Sequence, residues 1–87
     1  MYIDGSIFIF GANDIASEYV DVLNNGDVEI EAILDNDPNK QGDFFYGIKI
    51  ERPLVLKNYE KSKILVACRN LFQIIPQLID IGIKRDD

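Results

Sequence analysis

Three short stretches of this chain carry residue types whose spacing suits phosphate and ribose chemistry. The first is Gly11-Ala12-Asn13-Asp14-Ile15-Ala16, directly after the apolar run Ile7-Phe8-Ile9-Phe10. A glycine turn between a buried strand and a helix lets backbone N–H groups approach a pyrophosphate closely. Gly11 meets the need for a sharp turn, and Ala16 is small enough for close helix–strand packing. The position between them that is usually glycine is Asn13, whose side chain takes space on the pyrophosphate path. Asn tolerates a left-handed backbone better than most residues, so the turn survives there. Asp14 adds a negative charge where a phosphate would arrive. The second stretch is Ile33-Leu34-Asp35-Asn36. An acid closing the next strand, roughly 20 residues downstream, is placed to accept hydrogen bonds from ribose hydroxyls. The third is Cys68-Arg69-Asn70, where the planar guanidinium of Arg69 suits a phosphate. Each has a plainer alternative: a turn capped by Asn13 or Asp14, a capped strand end at Asp35, and a solvated Arg69 beside a capping Asn70.

No catalytic constellation accompanies these residues. The chain has no histidine, so nothing of that type activates Cys68, which reads as a small buried residue. A zinc site would have to be built from Cys68 and carboxylates alone. The acidic loop Asp35-Asn36-Asp37-Pro38-Asn39-Lys40 alternates oxygen ligands, but Lys40 stands where a calcium loop needs glycine and Tyr46 where it needs a bidentate glutamate. No metal is expected.

Positioning these residues falls to alternating strands and helices. Ser6–Phe10 is continuously apolar, as a parallel strand covered on both faces should be. From Asp14 the period becomes helical, with Ile15, Ala16, Tyr19, Val20 and Leu23 on one face. Asn25-Gly26 ends that helix, with Gly26 as the left-handed capping residue. Val28–Leu34 is the second strand and Asp35–Asp43 a polar loop. Gly47–Ile50 reads as a short edge strand. Pro53 starts a short helix over Leu54–Tyr59. Ile64–Cys68 is a further buried strand. Leu71, Phe72, Ile74, Ile75, Leu78 and Ile79 form a helical stripe closed by Gly82, in which Pro76 should kink the helix or delay its start. Ile83-Lys84 should open one more strand, which the chain ends before completing. The expected strand order puts Ser6–Phe10 between Val28–Leu34 and Ile64–Cys68, with right-handed crossovers.

Composition bounds the rest. The 87 residues make one small domain, and 47% hydrophobic content is that of a globular chain. A net charge of −6 with nine scattered basic residues argues against nucleic acid as a partner. A single cysteine fits a reducing compartment, and no apolar run approaches the roughly 20 residues of a membrane span. A cytoplasmic protein without a membrane segment is the expectation.

The order Ile-Phe-Gly-Ala-x-x-Ile-Ala, Ala-Ile-Leu-Asp-Asn-Asp-Pro-x-Lys-Gln-Gly, Tyr-Gly-Ile-x-Ile and Ile-Leu-Val-Ala, spread from Ser6 to Gly82, resembles the N-terminal Rossmann-like domain of bacterial sugar O-acyltransferases. Similar domains occur in membrane-linked nucleotide-sugar dehydratases and sugar C-methyltransferases. The resemblance implies a three-layer α/β Rossmann-like fold with a mostly parallel sheet, lacking its last strand, as one domain over residues 1–87 of a longer protein. It also implies a nucleotide-sugar ligand for surface-glycan biosynthesis, a UDP-sugar being the natural candidate. Gly11, Ala12 and Asn13 would then face the diphosphate, and Asp35 and Asn36 the nucleoside. Catalysis would come from another domain, since hexapeptide repeats and a catalytic histidine are absent here. The rival expectations are an NAD(P)-binding oxidoreductase or dehydratase domain, and an assembly domain that pairs with a partner or a second copy through an exposed sheet edge.

Overall fold

The computed structural model of the protein describes residues 6–59, 61–67 and 71–82. The candidate residues Cys68, Arg69 and Asn70 and the expected strand at Ile83-Lys84 lie outside that set. Among the described residues five strands form one sheet: β1 (Ser6–Phe10), β2 (Ala32–Leu34), β3 (Phe44–Phe45), β4 (Ile48–Glu51) and β5 (Ser62–Val66). Helix α1 spans Asp14–Asn25, helix α2 spans Leu71–Ile81, and a 3₁₀ helix covers Pro53–Asn58. The sheet order is β3-β4-β2-β1-β5. Among the described residues only the β3–β4 pair is antiparallel. The fold is therefore mixed α/β with a mostly parallel five-stranded sheet.

β1 lies between β2 and β5, as its apolar character requires. Phe10 is in register with Leu34 on one side and Val66 on the other. Its alternate residues feed two cores. Phe8 and Phe10 pack with Ala32, Leu34, Leu56 of the 3₁₀ helix, and Ile74 and Leu78 of α2. Ile9 packs with Ile33, Ile50, Ala67, and Ala16 and Val20 of α1. A strand buried on both faces has no polar side to show, which is why Ile7 to Phe10 carries no polar residue. Tyr59 adds an edge-on contact to Phe8, with ring centroids 5.0 Å apart.

Several boundaries differ from expectation. β2 is three residues long rather than starting at Val28. The Val28 N–H donates to the Leu23 carbonyl, so that residue is committed to closing α1. Ile30 packs against the α1 side of the core, leaving Glu29 and Glu31 exposed. The alternation therefore marks a half-buried extended segment that meets the sheet at Glu31, whose N–H donates to Ile7 O, with the strand itself starting at Ala32.

The end of α1 is also built differently. Gly26 has φ −93°, and the left-handed residue is Asp27 at φ 59°. Val28 N–H donates to Leu23 O and Asp27 N–H to Asn24 O, the two bonds of a Schellman motif. Asp27 thus fills the position that usually prefers glycine.

Gly47–Ile50 is not an edge strand. β4 sits between β2 and β3, and a hairpin turns through Tyr46 and Gly47, with φ 53° and 80°. Two consecutive positive φ values are what a tight primed turn needs. Tyr46 in the place usual for Asn hid that signal. The segment after Pro53 is 3₁₀ and ends at Asn58, and Arg52 before it supplies no side-chain cap. α2 runs continuously through Pro76. Pro76 is exposed and follows the 94% exposed Phe72 by four residues, so the backbone bond that proline removes falls on the open side of the helix.

Candidate functional site

The turn after β1 folds around Gly11, at φ 111° and buried. Its N–H donates to Leu34 O at 2.6 Å, so the turn stays bonded to the end of β2. One residue on, the Ala12 N–H donates to Asp35 Oδ2 at 2.9 Å. The other carboxylate oxygen accepts the Asp37 N–H at 2.8 Å. Lys40 Nζ donates to Ala12 O at 3.2 Å and lies 3.9 Å from Asp35 Oδ2. Gln41 Nε2 donates to Asp35 O at 2.8 Å. Asp35 is therefore tied to the glycine turn on one side and to its own loop on the other, with its side chain 15% exposed. Two accepted bonds leave lone-pair capacity on the carboxylate, enough for a hydroxyl donor at its open edge.

Asn13 is spent in a comparable way. It is extended, at φ −149°, so the turn makes no use of its tolerance for a left-handed backbone, and it is the helix cap that the plainer alternative allowed. Its Oδ1 accepts from Ile15 N–H at 2.9 Å and Ala16 N–H at 3.2 Å, and its Nδ2 donates to Ala67 O at 2.6 Å. The amide caps α1 and ties it to the end of β5. These two N–H groups are the donors that a pyrophosphate at this turn would seek, so Asn13 competes with the ligand for the same bonds. Asp14 is exposed at the rim, where its charge favours the helix N-terminus. Ile15 packs its side chain against the core and offers its backbone N–H to Asn13.

The structure thus gathers Gly11, Ala12, Asn13 and Asp35. Asn36 turns away from them. Its amide makes two reciprocal hydrogen bonds with Gln77 of α2, at 2.9 and 2.7 Å. That pair stands beside an open groove of about 840 Å³ between the loop after β2, the 3₁₀ helix and α2, lined in part by Arg52, Leu54, Lys57 and Asp80. Lys40, Gln41 and Gln77 were missed in the sequence. Lys40 had a weak signal, since Asp35 and Asp37 form successive Asx turns that fold it back. Gln77 had none, being 41 residues from its partner. Among the described residues no group of three or more acidic, cysteine or histidine side chains is arranged to hold a metal ion.

One family model, described as C2185-like, N-terminal, matches residues 4–87. The chain belongs to the C2185-like N-terminal family. A search of curated proteins finds no match. The family description names no activity, so the chemistry of this C2185-like domain has to be argued from its residues. Among those described, no helix is long and apolar enough to cross a membrane.

Proposed function

We propose that this C2185-like domain is a Rossmann-like nucleotide-binding module that positions a nucleotide sugar, with catalysis supplied by another domain in a cytoplasmic glycan-modifying enzyme. Support comes first from topology. The chain leaves β1 for β2 on one side, and β5 flanks β1 on the other. In open α/β sheets, ligands bind beyond the strand C-termini at such a reversal. The two cores, one carrying α1 and the other the 3₁₀ helix and α2, support a three-layer reading.

The observation that carries the reading is the Asp35 carboxylate, fixed by Ala12 N–H and Asp37 N–H beside the Gly11 turn. A preoriented acid at that place suits a ribose. An NAD(P) ligand is the second reading, and Asn13 disfavours it by occupying the Ile15 and Ala16 N–H groups.

Thermal-shift titration with UDP-sugars, NAD, NADP and CoA tests the proposal, because a ligand that binds only the native state raises its stability. UDP-sugars are expected to give the largest shift. A larger shift with NAD favours an oxidoreductase domain. No shift with any of them favours assembly through the β5 edge.

A further inference from the structure

We infer that the groove between the 3₁₀ helix and α2 is an oxyanion site, and that it takes the phosphoryl group of the ligand in place of the Gly11 turn. The identity of that ligand as a nucleotide rests on the reading above; the oxyanion chemistry of the groove does not.

The argument begins with donors already used. At the turn, Ala12 N–H is held by Asp35, and the Ile15 and Ala16 N–H groups by Asn13. A phosphate entering there must displace two side chains whose bonds also hold β2 and β5 to α1. The rim carries Asp14, which repels it.

The groove presents the opposite balance. Arg52 and Lys57 both line it, and among the described residues neither forms an ion pair. Among the described residues Asp80 is its one carboxylate, so that lining is net positive on a chain of net charge −6. Guanidinium and ammonium groups together are the usual holders of a phosphoryl oxygen. Pro53, Leu54, Pro76 and Ile81 give the groove apolar wall, and its volume of about 840 Å³ falls in the range of small-molecule sites.

The location agrees with ligand binding at this end of the sheet. Asn36 follows β2 by two residues and Arg52 follows β4 directly. The Asn36–Gln77 pair spends one donor and one acceptor of each amide on the other. Each amide keeps a second N–H and a second lone pair for a ligand at the groove mouth.

Amide-resolved NMR titration of the protein, at constant ionic strength, with UDP, uridine and pyrophosphate separates the possibilities. Binding of UDP and pyrophosphate is expected to shift the side-chain amides of Asn36 and Gln77 and the backbone of the 3₁₀ helix. Replacing both cations (Arg52→Gln, Lys57→Gln) should weaken UDP at least about tenfold, the scale of one lost charge-assisted bond. Asp80→Asn should tighten it. Shifts confined to Gly11–Ile15, unchanged UDP affinity in the double variant, or uridine binding as well as UDP would overturn the groove proposal and leave the nucleotide reading standing. Groove shifts with pyrophosphate and no gain from the uridine moiety would uphold the groove and remove the nucleotide. Silence with all three probes overturns both.

Discussion

The crevice at Gly11 and the groove at Gln77 lie at the same end of the sheet, on either side of the Asp35-Asn36 pair, and they treat polar groups in opposite ways. In the crevice, Asp35, Asn13 and Lys40 satisfy backbone groups of the turn and the helix start. In the groove, Arg52 and Lys57 line open volume and, among the described residues, have no ion-pair partner. A sequence fingerprint locates the first because its residues are constrained by the backbone. The second is assembled from side chains far apart in the chain, and a ligand is free to use them. Residues that resemble a binding motif can therefore be those with least left to offer a ligand.

The largest expected effect tests whether the crevice is scaffold. Gly11→Val places a branched side chain at φ 111° in a buried turn, so a loss of about 3 kcal/mol or more is expected in denaturant unfolding. A near-neutral result would mean the turn relaxes. Asp35→Ala comes next. It leaves the Ala12 and Asp37 N–H groups without partners, for about 2 kcal/mol of lost stability. Calorimetry should also show weaker nucleotide binding in this variant, and stability loss with unchanged affinity would confine Asp35 to the scaffold.

Asn13→Gly sharpens the comparison further. Losing the amide cap should cost about 1 kcal/mol, partly offset because glycine is itself tolerated there. Freed N–H groups at Ile15 and Ala16 should raise NAD affinity, and a flat or falling affinity shows that Asn13 does not obstruct the turn. Gln77→Ala has the smallest effect. Its pair with Asn36 is exposed, so a change within about 0.5 kcal/mol is expected. Chemical denaturation that finds a larger loss would mean the pair braces α2 against the loop.

Legibility in the sequence followed the range of the interactions. The apolar run Ile7–Phe10 revealed a central strand because burial on both faces dictates composition locally. The Gly11 turn and Asp35 were visible for the same reason, each being set by its own strand end. The start of β2 was misplaced because Val28 and Ile30 alternate like a strand, while the Val28 N–H closes α1 and Ile30 packs on the core that carries α1. The β3–β4 hairpin was missed because Tyr46 adopts a positive φ that residue type rarely announces. Asp27 took the left-handed position assigned to Gly26, since two neighbouring residues were both capable of it. The groove had no local signature, because Asn36 and Gln77 meet only after α2 docks.

The Asn13 amide has a consequence for the order of events during synthesis. Its Nδ2 partner, Ala67 O, lies 54 residues further along the chain. Helix α1 can begin with the local Oδ1 cap and the turn can bond to β2 through Gly11, but its tie to β5 waits until that strand has emerged and paired with β1. Such sequence-distant closure is slow compared with local structure. The glycine turn, made early by the ribosome, therefore receives its Asn13–Ala67 tie late, after its bonds to β2.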